Sequence, residues 1–155
     1  MSTARALVYG TLVVGILDAT DAVIFFGLRG ATPIRIFQSI ASGLLGRAAF
    51  SGGLRTAALG AGLHFFIAFM IVATFVLASR GLAILRRWPV WSGLIYGFAV
   101  YLVMNLVVLP LSAAGRGSFS WPVVANGVII HMLGVGLPTS LFARAANQSI
   151  PIANP

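Results

Sequence analysis

Five polar side chains sit inside otherwise apolar stretches of this chain: Asp18, Asp21, His64, Asn105 and His131. The two aspartates are the only acids in the protein, and the two histidines are its only imidazoles. Carboxylates and imidazoles exchange protons, and ionisable groups buried in apolar spans commonly mark proton or ion pathways. Asp18 and Asp21 are spaced i,i+3, which puts both on one helical face. Asp18 and His64 read as a titrating pair, with Asp21 one turn away as a relay. The plainest alternative is that the five groups hydrogen-bond one another and specify helix packing.

The two histidines also allow a third chemistry. His64 and His131 lie in two apolar runs, and Gly60 and Gly127 each stand four residues before a histidine. A bis-histidine haem b held between helices would use such a pair as axial ligands, with the glycines opening room for the macrocycle. A zinc or manganese site from His64, His131, Asp18 and Asp21 has suitable ligand types but no ligand-spacing motif. Apart from the haem alternative, no cofactor is expected.

Catalytic signatures are missing. The sequence has no GxSxG, no HExxH and no cysteine. Two carboxylates on one helix do not face each other across a substrate as an aspartic dyad would. The expectation is therefore a non-enzymatic protein.

Composition says what must position these groups. Of the 155 residues, 59% are hydrophobic and only 8% charged. A soluble domain carries roughly 25% charged residues, so most of this surface must face lipid. The ten basic residues are all arginine and lie mostly between the apolar runs. That placement suits loops at anionic headgroups and argues against nucleic acid as a partner.

The stretch Leu59–Ser79 is long enough to cross a hydrocarbon core of ~30 Å at ~1.5 Å per residue. Four spans are expected, at about residues 6–28, 54–79, 90–112 and 122–142, in one domain covering 1–155. Apolar character continues past the aspartates through Val23–Leu28, so the first run reads as a retained span and not a cleavable signal. Trp88 and Trp91 mark a headgroup level. The tail from Ala143 reads as polar and frayed.

Between the first two spans, Thr32-Pro33 is a helix start, with Thr32 as N-cap and Pro33 at the first helical position. Ile34, Phe37, Ile40, Ala41, Leu44 and Leu45 recur at helical spacing, while Arg35, Gln38, Ser39 and Ser42 take the other positions. Residues 33–47 are thus an amphipathic helix, either interfacial with its apolar face in lipid or re-entrant and plugging the bundle. The fold class is all-α: a four-helix transmembrane bundle plus this one extra helix.

Depth brings the polar groups together. Asp18 lies about 18 Å into span one, and His64 about 15 Å into span two from the opposite side, at ~1.5 Å per residue. Those depths nearly coincide in a ~30 Å core. Asn105 and His131 fall close to the same level, so each span offers one polar group to a common layer. The halves also echo each other: Tyr9-Gly10 with Asp18 nine residues after the tyrosine matches Tyr96-Gly97 with Asn105.

Arginine counts at the two ends, Arg116 among them, tie at five each. The compact basic loop Arg80–Trp88 leans the reading toward cytoplasmic termini.

The stretch Leu59–Arg144 resembles the YagU-type bacterial inner-membrane proteins. The likeness rests on His64 in an aromatic-aliphatic run, then WSGLIYG, MNLVVLPLS, a loop with an aromatic residue, and His131 in the last span. The long soluble insertion of that family is missing here, and residues 30–53 differ. The resemblance implies a multi-pass protein of a bacterial inner membrane, linked to acid tolerance and without established catalytic residues. The function expected is proton or ion permeation, or pH response, at an intramembrane Asp/His layer. The alternatives are an accessory or scaffold subunit, in a homo-oligomer or a larger membrane complex, and the haem protein. Lipid is the one certain partner.

Overall fold

The structure, a computed structural model, describes residues 1–115 and 119–148. Arg116 and the tail residues 149–155 lie outside the described residues. Four helices are long and apolar enough to cross a membrane: α1 (Thr3–Gly27), α3 (Gly53–Gly81), α4 (Pro89–Leu111) and α5 (Trp121–Ala146). A fifth, α2 (Pro33–Leu45), joins the first two. The protein is an all-α, four-span membrane protein.

Local chemistry explains where the helices begin and end. Ser2 caps α1 and Thr32 caps α2, each side-chain oxygen accepting from an arginine N–H three residues on. Pro33, Pro89 and Pro122 occupy the first turns of their helices, where a missing N–H costs nothing. After α1, Arg29 donates to the Phe25 carbonyl at 2.8 Å and lies over the Phe25 ring, a cation at a helix C-terminus. Gly46 ends α2 at φ 57°, a conformation that favours glycine, and a turn of 3₁₀ helix, Gly46–Ser51, leads into α3.

Both late spans contain a wide turn: Met104–Val108 in α4 and His131–Gly136 in α5 are π-helical. Each stands just before a proline, Pro110 and Pro138. A proline ring crowds the carbonyl four residues back and gives no N–H to it, so the helix widens there. α1 and α3 have no internal proline and stay α-helical throughout.

Two ends of the bundle can be distinguished. At the first, the amino terminus donates to the Ala145 carbonyl, Arg80 donates to the Thr3 hydroxyl, and Asn147 donates to the Ser79 hydroxyl. At the second lie α2 and the end of α4, joined where the Ala113 N–H meets the Gly43 carbonyl at 2.9 Å. The apolar core, built on Val14, Ala68, Val72, Phe75, Val76, Val135 and Ala143, fills the half nearer the first end. Side chains such as Val8, Phe66, Ile95 and Leu133 point outward and exposed, as a lipid-facing surface requires.

α4 packs chiefly on α5. Gly93 and Gly97, four residues apart, meet Gly136 and His131 there: a Cβ on Gly97 would strike the His131 carbonyl, and one on Gly136 the Gly93 carbonyl. Small residues let the two backbones touch, the usual means of packing helices where lipid removes the hydrophobic drive.

Two sequence expectations need correcting. Gln38 and Ser42 are not on an outward polar face but buried. α2 crosses α3 at Gly60, where a Cβ would run into the Phe37 carbonyl, and this close approach carries Gln38 to the start of α3. There Gln38 donates to the Gly53 carbonyl at 3.1 Å and the Thr56 hydroxyl at 3.4 Å. α2 is therefore seated on the bundle. The second correction concerns the tail: α5 continues to Ala146, with Ala143 and Asn147 fully packed. Asn147 is held by Ser79 and by its own Ala143 carbonyl, so fraying cannot begin at Ala143.

Candidate functional site

The half of the bundle nearer α2 is not filled by core side chains. It holds a cavity of about 610 Å³, within the range of small-molecule sites. All five polar residues singled out from sequence line it: Asp18 and Asp21 from α1, His64 from α3, Asn105 from α4 and His131 from α5. The helix α2 contributes Arg35, Ile36, Phe37, Ser39 and Ile40, and so forms a wall of the same cavity.

Asp18 and His64 meet. Nδ1 of His64 lies 3.9 Å from Oδ2 of Asp18, and the two side chains are 11% and 26% exposed for His64 and Asp18. The other ring nitrogen of His64, Nε2, is 2.8 Å from the Gly15 carbonyl. A carbonyl only accepts, so Nε2 carries a hydrogen. In neutral imidazole, Nδ1 then presents a lone pair, and it presents it to a carboxylate. A proton on either group, or another cation between them, would turn this approach into an attraction. The ring is held in this pose by its neighbours: Phe65 and Phe37 stand edge-on to it at centroid distances of 5.4 and 6.5 Å. Gly15 leaves the space in which Phe65 lies.

The other three residues are placed differently. Asp21 accepts a 2.6 Å hydrogen bond on Oδ2 from the Asn126 amide of α5. Asn105 donates back to the Tyr101 carbonyl of its own helix at 2.9 Å. His131 bonds through Nδ1 to its own Gly127 carbonyl at 2.8 Å, so its hydrogen is on Nδ1, the opposite tautomer to His64. Its ring stands edge-on to Tyr101 at 5.5 Å. Asn105 and His131 belong to the π-helical turns, where widened helices recurrently carry function.

Sequence reading passed over Asn126 and Arg35 as site residues. The depth count that placed Asp18 beside His64 would have found Asn126. Asp21 is seven residues short of the expected end of span one, and Asn126 four past the expected start of span four. Arg35, off the apolar stripe of α2 and exposed, also lines the cavity, with its guanidinium over the Phe50 ring at 4.1 Å.

The paired residues of the two halves differ in their surroundings. Gly10 and Gly97 are both buried against a neighbouring helix, whereas Tyr9 is 52% exposed and Tyr96 is turned inward, its hydroxyl donating to the Ile71 carbonyl at 2.8 Å.

The two spaces reserved for a macrocycle are taken. The Phe37 backbone fills the gap over Gly60, and the Tyr101 ring fills the gap over Gly127. Both nitrogens of His64 are engaged, one by the Gly15 carbonyl and the other facing Asp18. Among the described residues, no three His, Asp or Glu side chains converge as a metal site would need. The arrangement can hold and move a proton at His64 Nδ1 and Asp18 Oδ2, beside a cavity with room for a small molecule.

Comparison with known proteins returns no match: no family model fits the chain, and neither a curated protein nor a solved structure is significantly similar to it.

Proposed function

We propose that this is a non-enzymatic, proton-responsive membrane protein in which Asp18 and His64 share the responding proton and the adjoining cavity carries the response. The observation that supports it is the orientation of His64. Its Nε2 hydrogen is committed to the Gly15 carbonyl, so the nitrogen facing Asp18 is the one that gains or loses a proton. At 3.9 Å, two unit charges interact by about 4 kcal/mol at an effective dielectric of 20, and partial exposure of Asp18 reduces this. The resemblance of Leu59–Arg144 to the YagU-type proteins points the same way, toward a bacterial inner membrane and a role in acid conditions, and the compact basic loop Arg80–Trp88 supports cytoplasmic termini.

The test is nitrogen-15 NMR of histidine-labelled protein in lipid nanodiscs, with His131→Gln to assign the two rings. His64 should show its Nε2 protonated at every pH and Nδ1 responding to pH, and Asp18→Asn should change that titration. In liposomes, Asp18→Asn and His64→Ala should abolish proton-coupled flux while circular dichroism stays helical. A His64 titration indifferent to Asp18, or unchanged flux, refutes the reading and leaves these groups as packing contacts.

A further inference from the structure

The cavity beside the Asp18–His64 pair limits what it can hold. Its walls are mostly apolar and carry four aromatic rings, those of Phe26, Phe37, Phe50 and Tyr101. Both carboxylates of the protein face into it, one from each of two successive turns of α1. Asp21 already holds the Asn126 amide, whereas among the described residues Asp18 has the 3.9 Å approach of His64 alone.

The charged and titratable groups facing the pair are few. Beside it on α1 is Asp21, and opposite are Arg35 of α2, Tyr101 of α4 and His131 of α5. Arg35 is exposed, with its guanidinium on the Phe50 ring. The cavity therefore combines a carboxylate open to a partner, a second carboxylate one turn away, and aromatic faces. That combination recognises a cation with apolar bulk through charge pairing with Asp18 and cation–π contact with the rings that Arg35 does not cover.

We propose that the cavity binds a lipophilic aromatic cation in exchange for the proton, a reading that rests on Asp18–His64 being the responding pair. With the proton in place the pair is neutral overall and offers no charge to a cation. When a cation settles against Asp18, the proton leaves for bulk water. His64 becomes neutral with its Nδ1 lone pair toward the carboxylate, and the bound cation replaces the proton between them. Proton and cation thus occupy the site alternately.

The probe is methylphenylpyridinium, a permanent aromatic cation that cannot itself release a proton, with uncharged methylbiphenyl as its counterpart. Equilibrium binding and proton release are measured with the full chain in nanodiscs, in weak buffer. The expected result is saturable binding of the cation with about one proton released per cation bound. Binding should weaken about tenfold per pH unit across the range in which His64 takes up its proton. Asp18→Asn should weaken binding at least tenfold and abolish the release, whereas Asp18→Glu should retain both in part. Methylbiphenyl should release no protons and should not distinguish the variants.

Absence of saturable binding, binding without proton release, or equal binding by Asp18→Asn overturns the proposal. Should the asparagine variant not fold, the pH series on the unaltered protein decides alone. The NMR titration separates the two failures. If His64 still titrates in concert with Asp18 while the cation does not bind, only the cation proposal falls. If that concert is absent, both fall.

Discussion

Two glycines on one helix, two residues apart, should respond in opposite directions to the same substitution. Gly60 and Gly62 both lie in α3. A Cβ on Gly60 meets the Phe37 carbonyl of α2, a backbone atom that cannot rotate aside; a Cβ on Gly62 meets nothing within 4 Å. Replacing a helical glycine by alanine removes backbone freedom from the unfolded chain and favours the helix by roughly 0.5–1 kcal/mol. Gly62→Ala should show that gain alone.

Gly60→Ala should show the same gain against an overpacking cost of about 1–3 kcal/mol, because α2 must move off α3. The propensity term is common to both, so the difference between the variants isolates the contact, at about 1–3 kcal/mol. The assay is reversible unfolding in mixed detergent micelles followed by circular dichroism.

A second measurement asks where α2 goes. The protein has no cysteine, so a single Ala22→Cys on the cavity wall is a clean reporter. Its labelling by a water-soluble maleimide should quicken severalfold in the Gly60→Ala background and stay unchanged with Gly62→Ala. Equal stability and equal labelling in the two variants would falsify the seating of α2 on Gly60, and with it the closure of the cavity on that side.

Two further expectations concern the later spans. Gly97→Ala should destabilise the protein by about 1–3 kcal/mol, since its Cβ strikes the His131 carbonyl. It should also shift the His131 ring resonance through the displaced Tyr101 ring, and an unmoved resonance would show that α4 and α5 do not cross there. A double-mutant cycle of Asn126→Ala with Asp21→Ala should yield a coupling of about 0.6–1.7 kcal/mol, the range for hydrogen bonds between membrane helices. Zero coupling in detergent unfolding would mean that the two side chains do not meet.

The sequence makes Asp18 and His64 legible as neighbours for a simple geometric reason. Two antiparallel helices crossing a slab of known thickness place residues at depths that can be counted from either face. The same count gives the level of Asn105 and His131 but not their partners. Depth says nothing about whether a polar side chain reaches across to another helix or folds back to the carbonyl four residues earlier on its own, as both Asn105 and His131 do.

The burial of Gln38 was hidden for a related reason. A helical wheel divides polar from apolar, but a polar side chain turns inward when a neighbouring helix end offers it acceptors, here the Gly53 carbonyl and the Thr56 hydroxyl. The π-helical turns were visible only through their cause. Pro110 and Pro138 predict a disturbance one turn upstream, and nothing in the side-chain pattern says whether it becomes a kink or a widened turn.

The two ends of the bundle are built for different tasks, and the difference tells where movement belongs. At the first end the amino terminus, Arg80 and Asn147 fasten α1, α3 and α5 to one another, and the apolar core fills the space behind them. At the second end the core gives way to a cavity, and both late spans carry a π-helical turn at its wall. Regions with few packed apolar contacts open at lower cost than cores do. Asp18 therefore lies in the half of the molecule that opens at lower cost. The proton site lies where the two halves meet: Gly15, which holds His64, is one residue from the core valine Val14, and Asp18 is the first acid beyond it.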